Sequence, residues 1–169
     1  MTKVGIISDT HGYWDEKYAT YLGECDEIWH AGDIGSVELA DRFENMGPHF
    51  RAVYGNCDGY ELRARYRETL RFQCEEIDVL MKHIGGYPGH YDSSIARQIS
   101  LSPPGLFISG HSHILKIMPD KTLNLLHINP GAAGIMGWQK ERTLVRLTIE
   151  GRQFTDCEVI TLGSNHSRL

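Results

Sequence analysis

The chain has 169 residues, 41% of them apolar, and its 17 basic and 22 acidic side chains give a formal net charge of −5. That size suits one domain with a sizeable core, and no apolar run approaches the ~20 residues that span a bilayer. The acidic balance argues against a protein that coats nucleic acid. Stable nucleic-acid and membrane partners are therefore not expected, whereas a small anionic substrate drawn to a locally positive site is compatible.

The chain enters a strand-like segment with no basic-then-apolar leader, so a cytoplasmic location is expected. Cys25, Cys57, Cys74 and Cys157 form no Cys-x-x-Cys pair, and reduced thiols are the expectation.

Residues 3–8 are predicted to form a buried strand: Val4, Ile6 and Ile7 make a short apolar run that Asp9 and Gly12 end. A short helix is predicted over 15–23 and a second strand over 26–30, followed by Ala31-Gly32-Asp33. Ser36 fits a helix N-cap with Glu38 in the first turn, and Leu39, Phe43 and Met46 fall on one apolar face. Gly47-Pro48 stops that helix. Residues 50–54 read as a third strand and 55–59 as a loop. Arg63, Arg65, Arg67 and Arg71 form a basic cluster, read as the solvent side of an extended or helical segment. Strand and helix thus alternate as in a parallel sheet.

The second half is richer in predicted strands, at 69–74, 77–83, 106–109, 123–128, 143–149 and 153–160, with a short helix at 93–100. Val145, Leu147 and Ile149 alternate with Arg146 and Thr148, and Glu150-Gly151 fits a hairpin turn. The expected fold class is α/β, with two packed sheets and helices outside. One domain is expected over 1–162, with a frayed polar tail over 163–169. Oligomeric state stays open, a homo-oligomer included, because Trp14 and Trp138 suit either core or interface.

Ligand-type residues follow directly after predicted strands: Asp9 and His11 after the first, Asp33 after the second, Asn56 and Asp58 after the third. In open α/β sheets ligands bind outside the carboxyl ends of the strands. Singly, each group has an ordinary reading. Asp-x-His can be a cap beside an exposed imidazole, Asn-x-Asp can stabilise a turn, and His83 can be a core histidine satisfied by backbone. Gly110-His111-Ser112-His113 is the sharpest local signal, with two imidazoles two apart after a strand. Together the set offers carboxylates, an amide and imidazoles, a mixed oxygen and nitrogen shell that suits manganese, iron or zinc better than calcium or magnesium. A carboxylate such as Asp33 can bridge two ions roughly 3.5–4 Å apart. Two divalent ions, Asp9, Asp33 and a bridging hydroxide would leave the site at about +1, attractive to a phosphate. No Gly-rich phosphate fingerprint follows the first strand, which disfavours a nucleotide-binding domain.

The order Asp9-x-His11, Gly32-Asp33, Gly55-Asn56-x-Asp58, His83, Gly110-His111-x-His113 resembles the calcineurin-like metallophosphoesterases. The short length, the Cys in Gly-Asn-Cys-Asp and the late Asn129-Pro130-Gly131 look most like the small prokaryotic phosphodiesterase branch, to which the retromer subunit of the same fold is related. The resemblance implies a four-layer αββα sandwich of two mixed sheets flanked by helices. It implies that Asp9, His11 and His113 hold one ion, that Asn56, His83 and His111 hold the other, and that Asp33 bridges them. It implies two divalent ions, manganese first, with iron, zinc or nickel as alternatives. A water or hydroxide shared by them would attack a phosphate ester, a diester before a monoester. Asn56 would add a hydrogen bond to a phosphate oxygen. The alternative implied by the retromer relative is a non-catalytic protein-binding scaffold.

Three positions depart from that pattern. Larger members carry His where this chain has Cys57, a poor proton donor to an alkoxide. Esters with good leaving groups are therefore expected to be favoured, unless His30 or His90 supplies the proton. Without a His partner, Asp58 is expected to be a turn residue or to act behind the ligands. Ile84 replaces the usual Gly after His83, and Ala132 replaces the usual Ser after Asn129-Pro130-Gly131.

Overall fold

A computed structural model describes residues 1–165. In chain order the main elements are β1 (Thr2–Ile7), α1 (Glu16–Leu22), β2 (Glu27–His30), α2 (Val37–Glu44), β3 (His49–Ala52) and α3 (Tyr60–Arg65). There follow β4 (Thr69–Cys74), β5 (Ile77–Lys82), β6 (Gly86–Tyr87), β7 (His90–Tyr91), α4 (Ser93–Leu101) and β8 (Leu106–Ile108). The chain closes with β9 (Leu115–Asp120), β10 (Leu125–Pro130), β11 (Glu141–Glu150) and β12 (Gln153–Ser164).

Two five-stranded mixed sheets result, ordered β12-β11-β1-β2-β3 and β4-β5-β8-β10-β9. Strands β1, β2 and β3 are parallel to one another, as are β5, β8 and β10. Side-chain alternation on these strands builds the layers. Val4, Ile6 and Trp29 from the first sheet meet Val79, Met81, Ile108 and Ile128 from the second in the central core. On the outer face of the first sheet, Ile7, Ile28 and Ala52 pack on Tyr18 and Leu22 of α1 and Leu39 and Phe43 of α2. On the outer face of the second, Leu80 and Phe107 pack on Ile95 and Ile99 of α4. These three apolar interfaces separate the four layers of the αββα sandwich.

Helix α2 forms as its sequence predicts. Ser36 Oγ accepts from the Leu39 amide, Glu38 lies in the first turn and Arg42 in the last. A cap of this kind contributes ~1 kcal/mol. Its end comes at Glu44, before Met46, and Asn45 closes it on the Asp41 carbonyl, donating its side-chain Nδ2 at 2.8 Å and its backbone N–H at 3.0 Å.

Besides the short β6–β7 hairpin, three features differ from the sequence reading. Residues 60–65 form α3, a short helix with no side-chain N-cap and a single buried side chain, Leu62, so it left no periodic signal. Strand β9 was hidden because it is an exposed edge containing Pro119, which the pairing tolerates there. The predicted tail begins too early: Gly163 and Ser164 pair with Arg142 and Glu141, and the Asn165 amide donates to the Lys140 carbonyl. Residues 166–169 lie outside the described residues. The described cysteines are all unpaired, and no described helix is long and apolar enough to cross a membrane.

Candidate metal centre

Five strands end at one edge of the sandwich, and each delivers a polar group there. Asp9 and His11 follow β1, Asp33 follows β2, Asn56 follows β3, His83 follows β5, and His111 and His113 follow β8. Asp9, His11, Asp33, His111 and His113 all have positive φ, between 45° and 69°. Non-glycine residues held there cost about 1–3 kcal/mol each, a strain that collects at functional sites.

Asp9 is fully buried. Its Oδ2 accepts from Ser8 Oγ at 2.7 Å and from the His111 amide at 3.1 Å. Its Oδ1 lies 3.2 Å from His113 Nε2, 3.7 Å from His11 Nε2 and 3.8 Å from His83 Nε2. Asp33 Oδ1 accepts from the Cys57 amide at 2.8 Å, while Oδ2 lies 3.1 Å from His83 Nε2 and 3.6 Å from His11 Nε2. Asn56 Oδ1 lies 3.1 Å from His83 Nε2 and 3.0 Å from His111 Nδ1. The donor atoms of Asp9, His11 and His113 all fall within 4.8 Å of one another, and those of Asp33, His83 and His111 do likewise.

The residues fit metal ions on an observation independent of spacing. Asp9 Oδ1 and His11 Nε2 are buried with no hydrogen-bond partner, although buried polar atoms are normally satisfied. Both point into the cluster where a cation would complete them.

Backbone and side-chain partners aim the imidazoles. His83 Nδ1 donates to the Ala31 carbonyl at 2.7 Å, which leaves the Nε2 lone pair facing Asn56 and Asp33. Ile84 does not displace His83, whose own carbonyl is held by the Gly110 amide at 3.0 Å. Gly32 is required beside it: a Cβ there would come within 2.5 Å of His83 Nδ1, and φ is +103°. His113 Nδ1 donates to Gln139 Oε1 at 2.8 Å, and the Gln139 amide is fixed in turn by the Gly134 and Met136 carbonyls. Asn129 clamps the His111–His113 loop through the Gly110 carbonyl and Ser112 Oγ, both at 3.0 Å.

Electrostatics follow from this packing. Burial opposes ionisation of Asp9, but His11 and His113 outweigh it and hold the carboxyl well below the usual carboxylate range. Burial likewise opposes charge on Asp33, and His83 overcomes it, lowering that carboxyl too. Burial pushes His83 and His113 down, but Asp33 acting on His83 and Asp9 acting on His113 raise both. Burial lowers His111, with His83 adding to the effect.

Asp58 is a turn residue that ties two loops together. It accepts from the amides of Gly55, Ile34 and Gly35 at 2.8, 3.2 and 2.9 Å. His30 is no proton donor to a substrate. It is fully buried, its Nε2 bonds Thr10 Oγ1, its Nδ1 accepts from the Gly32 amide, and burial pushes it down to about 3. His90 belongs to the β6–β7 hairpin, where it packs on Tyr87, and no contact joins it to the donors. Cys57 is exposed and its sulfur lies within 4.8 Å of donor atoms of His11 and Asp33. Burial, then the Asp33 charge, pushes its thiol up, so it stays neutral.

Two participants escaped the sequence reading. Gln139 lies in an irregular loop, and nothing in its surroundings marks it as a partner of His113. Arg63 does not simply face solvent: its Nε donates to the Asp58 carbonyl at 2.7 Å and its Nη2 to the Asn56 carbonyl at 3.1 Å. Arg65 and Arg71 do form surface pairs, with Asp41 and Glu44 and with Asp78. Gln139→Leu is expected to weaken metal binding ~10–100-fold by freeing the His113 ring. Titration calorimetry with Mn checks it, and unchanged affinity would remove Gln139 from the site.

The fold and donor set define an αββα sandwich with a candidate metal centre at one sheet edge. The chain belongs to the calcineurin-like phosphoesterase superfamily, whose domain matches residues 2–152. It is 31% identical over 143 residues to Phosphodiesterase MJ0936 of Methanocaldococcus jannaschii, covering 76% of this chain and 82% of that one. A solved archaeal phosphodiesterase superposes with a TM-score of 0.74 at 23% identity, covering 95% of this chain and 99% of the other. Wild-type Vps29 of Entamoeba histolytica complexed with Zn²⁺ gives 0.74 at 16% identity, covering 94% and 98%. At these identities the two solved structures speak to the fold alone.

Proposed function

We propose that this chain hydrolyses phosphate esters, phosphodiesters before monoesters, at a centre of two divalent ions. The observation that carries this reading is the placement of Asp33, whose Oδ2 faces His11 on one side and His83 on the other. Asp9, His11 and His113 would hold one ion, Asn56, His83 and His111 the second, and Asp33 both. Manganese, iron, zinc and nickel all suit this oxygen and nitrogen shell, and manganese is the first choice. When bound, the ions would supply Lewis acidity and an acidified water as nucleophile. The phosphodiesterase relative supports the diester preference. Unpaired cysteines suit a cytoplasmic setting.

The chain's own groups would prepare the site. Asp9 and Asp33 remain ionised and balance the ions' charge. His83 and His113 are locked as Nδ1–H tautomers with Nε2 directed inward. The Asn56 amide nitrogen, 3.5 Å from Cys57 Sγ, is free to turn its second hydrogen toward a phosphoryl oxygen as charge develops.

The test is metal analysis of protein purified without chelator, followed by assay on bis(p-nitrophenyl) phosphate. The expected result is ~2 metal equivalents per chain and turnover that chelator removes and Mn restores. Metal bound without turnover on any phosphate ester would instead favour a protein-binding scaffold.

Metal affinity should also depend on pH. A protonated imidazole cannot ligate, so protons compete with the ions. The raised His83 and His113 hold their protons to higher pH than the ordinary value of 6.5. Mn affinity is therefore expected to fall as pH drops through the raised values of these two groups, above 6.5. In the metal-free protein the sign reverses: the His-carboxylate pairs stabilise the fold below 6.5, and that contribution is lost as pH rises through the raised values. Thermal melts of both forms across pH 6–8 read both slopes, and parallel profiles would contradict the assignment.

A further inference from the structure

A cavity of about 220 Å³ opens beside the metal centre. Asn56 and His83 line it, so it continues directly from the second donor set, and Arg63, Lys82, Glu68 and Tyr54 form the rest of its wall. The Lys82 side chain is only 9% exposed, yet among the described residues its ammonium meets just the Ile84 carbonyl at 3.3 Å and Glu68 Oε1 at 3.6 Å. Glu68 is 62% exposed and also accepts from the Tyr54 hydroxyl at 3.4 Å, which makes it a distant and solvent-screened partner for Lys82. An ammonium removed from water is costly without a close counter-charge. Arg63 commits two donors to backbone carbonyls and stacks its guanidinium 4.8 Å from the Tyr54 ring centre. A guanidinium has five N–H donors, so the fork keeps capacity for an anion.

We propose that this cavity is a subsite for a second phosphoryl group, making the substrate class a phosphodiester with an additional phosphate monoester on one arm. The proposal rests on the phosphate-ester reading of the metal centre. Two cations against one solvent-screened carboxylate leave a positive balance that a dianion meets better than a carboxylate. Arg63 supplies a fork for two phosphate oxygens, and Lys82 supplies a point charge. A neutral ester arm would leave Lys82 as poorly matched as it stands.

The experiment compares thymidine 5′-monophosphate with thymidine 3′,5′-bisphosphate by calorimetry on the Mn-loaded protein. The bisphosphate is expected to bind ~10-fold or more tightly, the effect of one or two charge-assisted hydrogen bonds. Lys82→Met and Arg63→Gln should each collapse that advantage. Arg63 is exposed on a short helix, so Arg63→Gln keeps the test decisive if Lys82→Met does not fold. The p-nitrophenyl esters of thymidine 5′-phosphate, with and without a 3′-phosphate, give the matching ratio of kcat/KM. Equal binding of the two nucleotides, or an advantage that survives both substitutions, overturns the subsite. If both esters are cleaved at the same kcat/KM while binding is equal, the subsite fails and the phosphoesterase reading stands. If neither ester is cleaved but the bisphosphate advantage depends on Arg63 and Lys82, the subsite stands and the hydrolytic reading fails.

Discussion

Asp33→Asn is expected to reduce turnover of bis(p-nitrophenyl) phosphate by ~10³-fold or more, because a shared charged ligand is worth several kcal/mol in the transition state. The substitution preserves size, so it tests charge and donor type rather than packing. Asp33 Oδ2 lies 3.6 Å from His11 Nε2 and 3.1 Å from His83 Nε2, closer to both than Asp9 Oδ1 at 3.7 and 3.8 Å, and Oδ1 accepts the Cys57 amide. An amide can satisfy only one of these sides with an oxygen; its nitrogen carries no lone pair for an ion and cannot accept the Cys57 N–H. Metal content should fall below that of the wild type together with rate. The buried fold should survive, since the lost Cys57 bond costs only about 1–3 kcal/mol. Elemental analysis and kcat at saturating Mn decide the matter. Activity within tenfold of wild type would show that Asp33 is not the shared ligand.

Aryl phosphodiesters are expected to be cleaved ~10²–10⁴-fold faster than alkyl ones, the usual worth of a general acid, a role for which Cys57 is poorly suited. Cys57 stands beside the donors His11 and Asp33, exposed and neutral, with its thiol pushed above the ordinary 9.0 by burial and by Asp33. Such a thiol gives up a proton poorly to an alkoxide. His30 is sequestered behind the centre by Thr10 and Gly32, and His90 lies in a separate hairpin. A nitrophenolate needs no proton to depart, whereas an alkoxide does. Cys57→His should therefore raise the alkyl rate more than the aryl rate. Parallel kcat measurements on bis(p-nitrophenyl) phosphate and a dialkyl diester, in which only an alkoxide can leave, read the effect. Equal rates for aryl and alkyl leaving groups would sink the idea.

Much of this architecture was legible in the residue order, because strands and helices here carry strong local signals. Val4, Ile6 and Ile7 mark β1 by a buried run, and Ser36 with Leu39 and Phe43 marks α2 by cap and period. Helix α3 and edge strand β9 were not legible, since Leu62 alone is buried in one and the other is largely exposed. Each lacks the apolar periodicity that burial imposes.

The sequence by itself determined which ligand types stand at strand ends, and the family to which their order points. Strand direction and alternation require that residues leaving parallel strands emerge at one edge, so Asp9, Asp33 and Asn56 were bound to meet. Tertiary structure alone decided how those residues are aimed. His83 is fixed by the Ala31 carbonyl, His113 by Gln139, and the Asn56 loop by Arg63. These partners are separated by 52, 26 and 7 positions in the chain. Hydrogen-bond direction depends on where loops pack, and short-range sequence pattern carries no record of it. The same holds for the buried charge of Lys82, whose meaning depends on the cavity around it.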